Sequence, residues 1–385
     1  MNDEDGTRRG RRRFLAGTSA LAAALAGCTG GLGGDGGGGG DGTVSLSDFR
    51  GSGPLVSGRP APGGTSMDEL PDLSGELVVY LGGGEGGRYV DLFELLERRY
   101  DGFEVVPNTN TSASLAQTIV TEHENDATRA DVFLSVDAGS LGYVADNGAA
   151  ADLPDAALDP VPAQFRSAAG LWVGVEGRAR TVPYNTDALD ADAVPEDVMA
   201  IPEALAAAHP MGWAPSYGAF QSFVTAMRLV EGPEATKDWL RAMQNAGVET
   251  YRDEFFTSQA VADGEVDAGF ANHYYALRVR SSRPDAPIDL AFTSGDAGAL
   301  VNVSGAAVVA GTDRSDLATN FVRHLLSSEA QEFFATVTFG YPMVPEVAPV
   351  GGLPTIAELD PPDVDLTKLA DIQTTLDLMR EVGVL

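Results

Sequence analysis

Apolar residues come in short runs along this chain, and polar stretches with helical spacing separate them. Glu76-Leu77-Val78-Val79-Tyr80 reads as a buried strand. After a glycine-rich turn, Tyr89-Val90-Asp91-Leu92-Phe93-Glu94-Leu95-Leu96 places its apolar positions on one helical face. Phe103-Glu104-Val105-Val106 predicts the next strand, Ser114 to Glu124 a helix, and Ala130 to Ser135 a third strand. Strand and helix alternate in this way to about residue 325, which predicts an α/β fold with mostly parallel sheets. Val266 to Asn272 reads as a strand ending at His273-Tyr274-Tyr275, with Ala276-Leu277-Arg278 starting a helix. Beyond this the chain turns helical: Asp316 opens one helix, and Ser328-Glu329-Ala330-Gln331 has the form of a capping box for the next. About 310 globular residues exceed one comfortable core, so two lobes are expected.

The first 75 residues follow a different pattern. Arg11-Arg12-Arg13-Phe14-Leu15, a short apolar run and Leu25-Ala26-Gly27-Cys28 make a twin-arginine export signal over residues 1–27. Leu-Ala-Gly-Cys resembles a lipobox, in which Cys28 becomes the lipid-modified first residue of the mature protein. The run from Phe14 to Gly27 is shorter than the roughly 20 apolar residues a bilayer-spanning helix needs. Residues 28–75 are rich in Gly, Pro, Ser and Asp, including Gly36 to Gly40, and predict a flexible tether. The expected location is the outer face of the cytoplasmic membrane, with a lipid-anchored domain over residues 76–385.

Composition narrows the chemistry. Cys28 is the only cysteine in 385 residues, so an intramolecular disulfide, a Cys-based metal site and a thiol nucleophile are all excluded from the domain. Fifty-six acidic residues face twenty-five basic ones, a net charge of −31, which argues against nucleic acid as a partner. Only Lys237 and Lys368 are lysines. Scattered acid with almost no lysine resembles the surfaces of proteins from salt-loving microbes, where high ionic strength screens self-repulsion.

Gly82-Gly83-Gly84-Glu85-Gly86-Gly87 fits a G-x-G-x-x-G pattern between strand and helix, but a run of glycines meets it by chance. What it does offer is backbone N–H groups at the end of the first strand, facing the crevice where such sheets bind ligands. Tyr274 and Tyr275 sit at a strand-to-helix turn, where two phenols read either as amphipathic packing residues or as hard oxygen donors for a cation such as Fe³⁺. The chain has no His-Glu-x-x-His, Gly-x-Ser-x-Gly or Walker sequence, and Asp137 has no partner at useful spacing. A non-enzyme is expected.

An ordered set of strings carries a resemblance over residues 76 to 345. Val78-Val79-Tyr80, Ala130-Asp131-Val132-Phe133-Leu134 and Gly177-Arg178-Ala179-Arg180-Thr181-Val182-Pro183-Tyr184-Asn185-Thr186 come first. Ala214-Pro215-Ser216-Tyr217-Gly218-Ala219-Phe220, Gly264-Glu265-Val266-Asp267-Ala268, Asn272-His273-Tyr274-Tyr275, Asn302-Val303-Ser304-Gly305-Ala306 and Tyr341-Pro342 follow. Together they resemble the ferric-iron-binding proteins of bacterial and archaeal iron ABC importers. The resemblance implies a two-lobed, type II periplasmic-binding-protein-like fold with hinge strands near Tyr184-Asn185. It places lobe 1 at about 76–178 and 286–312, and lobe 2 at about 179–285 and 313–385.

It also implies a function and a site. A monomer would carry Fe³⁺ with carbonate or a similar anion to a membrane permease and its ATPase. Tyr274 and Tyr275 match the family's paired tyrosine ligands, and Tyr217 matches the third tyrosine that one subgroup of the family uses. Ser216, Gly218 and Ala219 match an anion nest at a helix N-terminus, Arg178 the anion's arginine clamp and Asn272 a polar residue beside it. Many relatives carry a histidine in the first strand-to-helix turn; here Gly84 and Glu85 stand there, so Glu85 is the donor that turn offers. His273 should point away from its neighbours by alternation, and His123, His209 and His324 read as surface or capping residues. The alternatives are the same fold holding an organic anion, phosphonate or polyamine, and a secreted hydrolase.

Overall fold

A computed structural model describes residues 44–83 and 88–385. The export signal, Cys28, most of the glycine-rich stretch and Glu85 lie outside the described residues.

The strands are β1 (Gly75–Gly82), β2 (Phe103–Asn110), β3 (Val132–Ser135), β4 (Val173–Asn185), β5 (Met211–Trp213), β6 (Glu249–Thr250), β7 (Ala268–Gly269), β8 (Ala271–Asn272), β9 (Ile288–Ala291), β10 (Val301–Val308) and β11 (Tyr341–Pro342). The helices are α1 (Leu46–Phe49), α2 (Tyr89–Arg99), α3 (Ser112–Glu124), α4 (Ala138–Asp146), α5 (Asp155–Leu158), α6 (Gly218–Val230), α7 (Pro233–Asn245), α8 (Glu254–Asp263), α9 (His273–Ser282), α10 (Ser315–Leu325), α11 (Ser328–Phe333) and α12 (Ile372–Glu381). The alternation read from the sequence is therefore present, and the fold is α/β in two lobes. The expected mostly parallel pairing is not, because β4 and β10 run antiparallel to their neighbours.

β4 makes the lobes continuous. Its first half, Val173 to Ala179, pairs antiparallel with β10, which pairs in turn with β3. β1, β2 and β3 run parallel and complete the first lobe's sheet. The second half of β4 pairs with β8 at Arg180 and Thr181, and with β9 from Val182 to Asn185. β7, β5 and β6 extend the sheet into the second lobe. All but one residue of β4 is buried, as a strand covered on both faces requires. Tyr184 lies on this crossing strand, opposite Ala268 and Asp289.

Several expectations are corrected. Residues 44–75 are not a loose tether: Phe49, Val56, Met67, Leu70 and Leu73 are buried. Arg50 and Arg59 both reach the buried carboxylate of Glu332, at 2.7 and 2.9 Å. Phe49 and Val56 are isolated in a polar stretch, and Met67, Leu70 and Leu73 recur too briefly to set a helical period, which is why the pattern along the chain hides them. The stretch 313–342 packs with the first lobe, where the Phe321 ring of α10 meets Phe93 and Phe103, and β11 pairs with the first half of β4. α12 packs on the second lobe's α6 and α7. His324 is buried, bonded to the Tyr100 hydroxyl and the Asn320 carbonyl, and is no surface residue. α11 is capped by Ser327, whose hydroxyl accepts from the Ala330 N–H, so the box at Ser328 does not form.

Candidate functional site

α9 begins where β8 ends, and the two tyrosines stand in its first turn. Buried Tyr274 (3% exposed) and Tyr275 (6%) stack at an angle, with ring centroids 4.4 Å apart. Asn272, the residue before the helix, donates its side-chain amide to the Tyr274 hydroxyl at 3.3 Å. Tyr217 arrives from a different element, the residue just before α6, and its hydroxyl hydrogen-bonds directly to that of Tyr275. Three phenols from two helix N-termini thus meet at one place. Phe255 and Phe339 pack around them.

A cleft of about 510 Å³ opens beside these phenols. From the second lobe it is lined by Tyr217, Gly218, Ala219, Asn272 and Tyr274; from the first by Gly83 and Asp137 to Ser140. Arg178 and Arg180, on the crossing strand, line it as well. The wall thus draws on both lobes and on the strand between them. No side chain caps α6, so the N–H groups of its first turn lie at the cleft with the positive end of the helix dipole. Ser216 is exposed and is not among the cleft-lining residues. Glu85, two residues after Gly83 in the sequence, lies outside the described residues.

The two arginines have different anchors. Arg178 donates to the Val136 carbonyl of the first lobe. Arg180 donates to Glu254 at 2.6 Å and to the Ala219 carbonyl at 2.7 Å, and both members of this ion pair are almost wholly buried. The other Glu254 oxygen accepts the Asn272 N–H at 2.8 Å. Sequence reasoning missed Arg180 and Glu254; the arginine at alternate spacing from Arg178 was the available signal. Asp137 caps α4 by accepting the Ser140 N–H at 2.7 Å, which gives this carboxylate a structural partner.

His273 does not line the cleft, but it does not point away from its neighbours as alternation predicts. It is the first residue of α9, and its ring packs edge-on against that of Tyr274, centroids 5.5 Å apart. Its Nδ1 accepts the Ala179 N–H at 3.2 Å, so Nε2 carries the proton and donates to the Phe339 carbonyl at 2.8 Å. Burial, partly offset by these two bonds, pushes its pKa down to about 3 and keeps the ring neutral. The ring therefore ties the tyrosine-bearing helix to the crossing strand and to the chain entering β11. Among the described residues no group of three or more His, Cys, Asp or Glu side chains is placed to hold a metal ion. No helix among them is long and apolar enough to cross a membrane.

This architecture has relatives. The family model for bacterial extracellular solute-binding proteins matches residues 91–359. The chain is 30% identical over 292 residues to the major ferric iron-binding protein of Neisseria meningitidis serogroup B, covering 74% of this chain and 86% of that one. It is also 30% identical over 292 residues to the Fe(3+)-binding periplasmic protein of Serratia marcescens, covering 74% and 84%. Iron-bound HitA from Pseudomonas aeruginosa superposes with a TM-score of 0.66 at 28% identity, over 80% of this chain and 99% of that one. Sequence and fold agree, and the chain belongs to the family of bacterial extracellular solute-binding proteins.

Proposed function

We propose that this protein is the substrate-binding component of an iron ABC importer, with Fe³⁺ as cargo held by Tyr217, Tyr274 and Tyr275. The observation that carries the reading is the convergence of these three phenols beside a cleft built from both lobes. Three phenolates balance a 3+ charge, and phenolate oxygen is a hard donor matched to a hard cation. A bound ferric ion displaces phenol protons well below their ordinary pKa, because its charge dominates the local field. The names of the relatives in Neisseria and Serratia point to the same cargo.

Carbonate or a similar anion completes the shell in this proposal, held by Arg178 and the N–H groups at Gly218 and Ala219, with Asn272 beside it. Glu85 is the further donor offered by the first turn. Iron meets the tyrosine-bearing lobe first, the lobes close about β4, and contact with a permease and its ATPase reopens them. The chain works as a monomer and a binding protein, not an enzyme. Twin-arginine export and lipid attachment at Cys28 keep it at the outer face of the membrane.

The test is a visible absorption spectrum of the purified protein in high salt, titrated with ferric citrate plus bicarbonate. A broad charge-transfer band that saturates at one equivalent and disappears in Tyr274→Phe and Tyr275→Phe is the expected result. A colourless protein whose thermal stability iron leaves unchanged would refute the ferric reading. Organic anions and polyamines would then be screened.

A further inference from the structure

We infer that Arg278 is a positioning residue of the phenol site, whose guanidinium lies across Tyr274 and Tyr275, fixes their attitude and tunes their oxygens as donors. Its Cζ stands 4.8 Å from the Tyr274 ring centroid and 5.4 Å from that of Tyr275. The spacing makes this possible: on α9, Arg278 lies four residues after Tyr274 and three after Tyr275, so all three share one helical face. Half-buried Arg278 also lines a cavity of about 270 Å³ with Tyr217, Tyr275, Asp253 and Phe255. This cavity meets Tyr275, while the main cleft meets Tyr274; Tyr217 borders both.

The surroundings restrict each ring. Tyr275 has the Tyr274 ring 4.4 Å away, the Phe255 ring 6.3 Å away, the Tyr217 hydroxyl on its own, and the guanidinium over one face. Tyr274 has the His273 ring 5.5 Å away on another side. The Asp253 carboxylate accepts the N–H groups of Phe255 and Phe256, which holds α8 and therefore Phe255 in place. A guanidinium suits a position over two rings, being flat, delocalised and permanently charged. Its attraction to an aromatic face grows as the ring gains electron density, so phenolates hold it more firmly than phenols. Exchange of three phenol protons for one Fe³⁺ leaves the charge of the three-tyrosine cluster unchanged, and the co-bound anion adds only negative charge. The guanidinium thus meets no added positive charge on loading, and what it alters is donor strength and geometry.

The inference rests on the phenolate-iron reading above, and the experiment separates the two. The parent, Arg278→Met and Arg278→Lys are loaded with ferric citrate plus bicarbonate, and both the charge-transfer wavelength and the rate of iron loss to excess EDTA are measured. Methionine keeps the length but removes the charge, so the phenolate donor orbitals rise and the band moves to longer wavelength. Iron loss should accelerate by up to about tenfold, the ceiling set by two cation–π contacts, since only the part of them gained as phenols become phenolates counts. Lysine retains the charge but not the plane: its band should stay with the parent while iron leaves faster. A methionine variant with parent wavelength and parent rate overturns the inference, since a merely structural arginine leaves the band energy in place. Should that variant fail to fold, a lysine variant with the parent rate overturns it equally. A parent that shows no band fails the iron reading itself, before any variant is compared.

Discussion

Arg180 places a full positive charge in the interior, where only a good partner makes it tolerable. Glu254 supplies that partner at 2.6 Å, and the Ala219 carbonyl and Asn272 N–H complete the network around the pair. Taking away one member of a buried pair leaves the other uncompensated, at a cost of about 3–5 kcal/mol. Glu254→Gln should therefore lower the urea midpoint of unfolding sharply, and an unchanged midpoint would show the pair to be dispensable. The buried imidazoles give a second prediction, with its sign fixed by their shifts. Burial drives His273 to about 3 and His324 to about 4, against 6.5 for an imidazole exposed in the unfolded chain. The unfolded state then binds more protons below 6.5, so the stability these rings contribute is complete above that pH. It is lost as pH falls toward 4 and then 3. Unfolding midpoints measured across this range should fall with acid, and His324→Gln should flatten the slope; an equal slope in both proteins counts against the assignment. Single residues were partly legible in the sequence. The tyrosine pair and Arg178 stood out by type and place, whereas Glu254 is 74 residues from Arg180 and nothing local links them.

At the level of elements, the strands whose apolar runs are continuous were readable, and their close contacts were not. β10 carries a bulge between Ser304 and Gly305 where it pairs with the crossing strand. A Cβ at Gly305 would stand 2.7 Å from the Val173 carbonyl oxygen and 2.6 Å from the end of the Leu141 side chain. The leucine can turn away, but the carbonyl belongs to the paired strand and cannot. Gly305→Ala should cost about 1–3 kcal/mol, the range for forcing extra volume into a packed interior. A thermal midpoint equal to the parent's would mean that β10 and β4 separate without strain. The start of α9 was legible because Asn272-His273-Tyr274-Tyr275 follows an apolar run. The length of the tether was misjudged for the opposite reason. Phe49 and Val56 stand alone, Met67, Leu70 and Leu73 recur only briefly at three-residue spacing, and Phe49, Val56, Met67 and Leu73 join clusters drawn from sequence-distant elements.

Across the whole domain, those anchors make residues 44–73 a strap that touches both lobes. Phe49 and Met67 join the main core, while Leu55 and Val56 pack with Leu277 of α9, Leu290 of β9 and Val350. Between these contacts lie Arg50 and Arg59, converging on Glu332, and the Gly51 N–H, which donates to the Thr336 hydroxyl at 2.9 Å. Arg59 donates further to the Pro349 carbonyl at 3.0 Å. Glu332 stands one residue beyond the buried Gln331, which accepts from the Met343 N–H at 2.6 Å and so holds the chain leaving β11. One carboxylate therefore clamps the strap to the segment that runs from the first lobe past Phe339, the acceptor of His273. Glu332→Gln removes the charge that both guanidiniums share, and an uncharged amide satisfies at most part of that demand. Amide hydrogen exchange should then accelerate through residues 46–59, while β1 to β3, whose hydrogen bonds do not involve the strap, keep their protection. Equal protection of the strap in parent and variant would assign its hold to the apolar anchors alone; faster exchange throughout the first lobe would make the clamp part of the global fold.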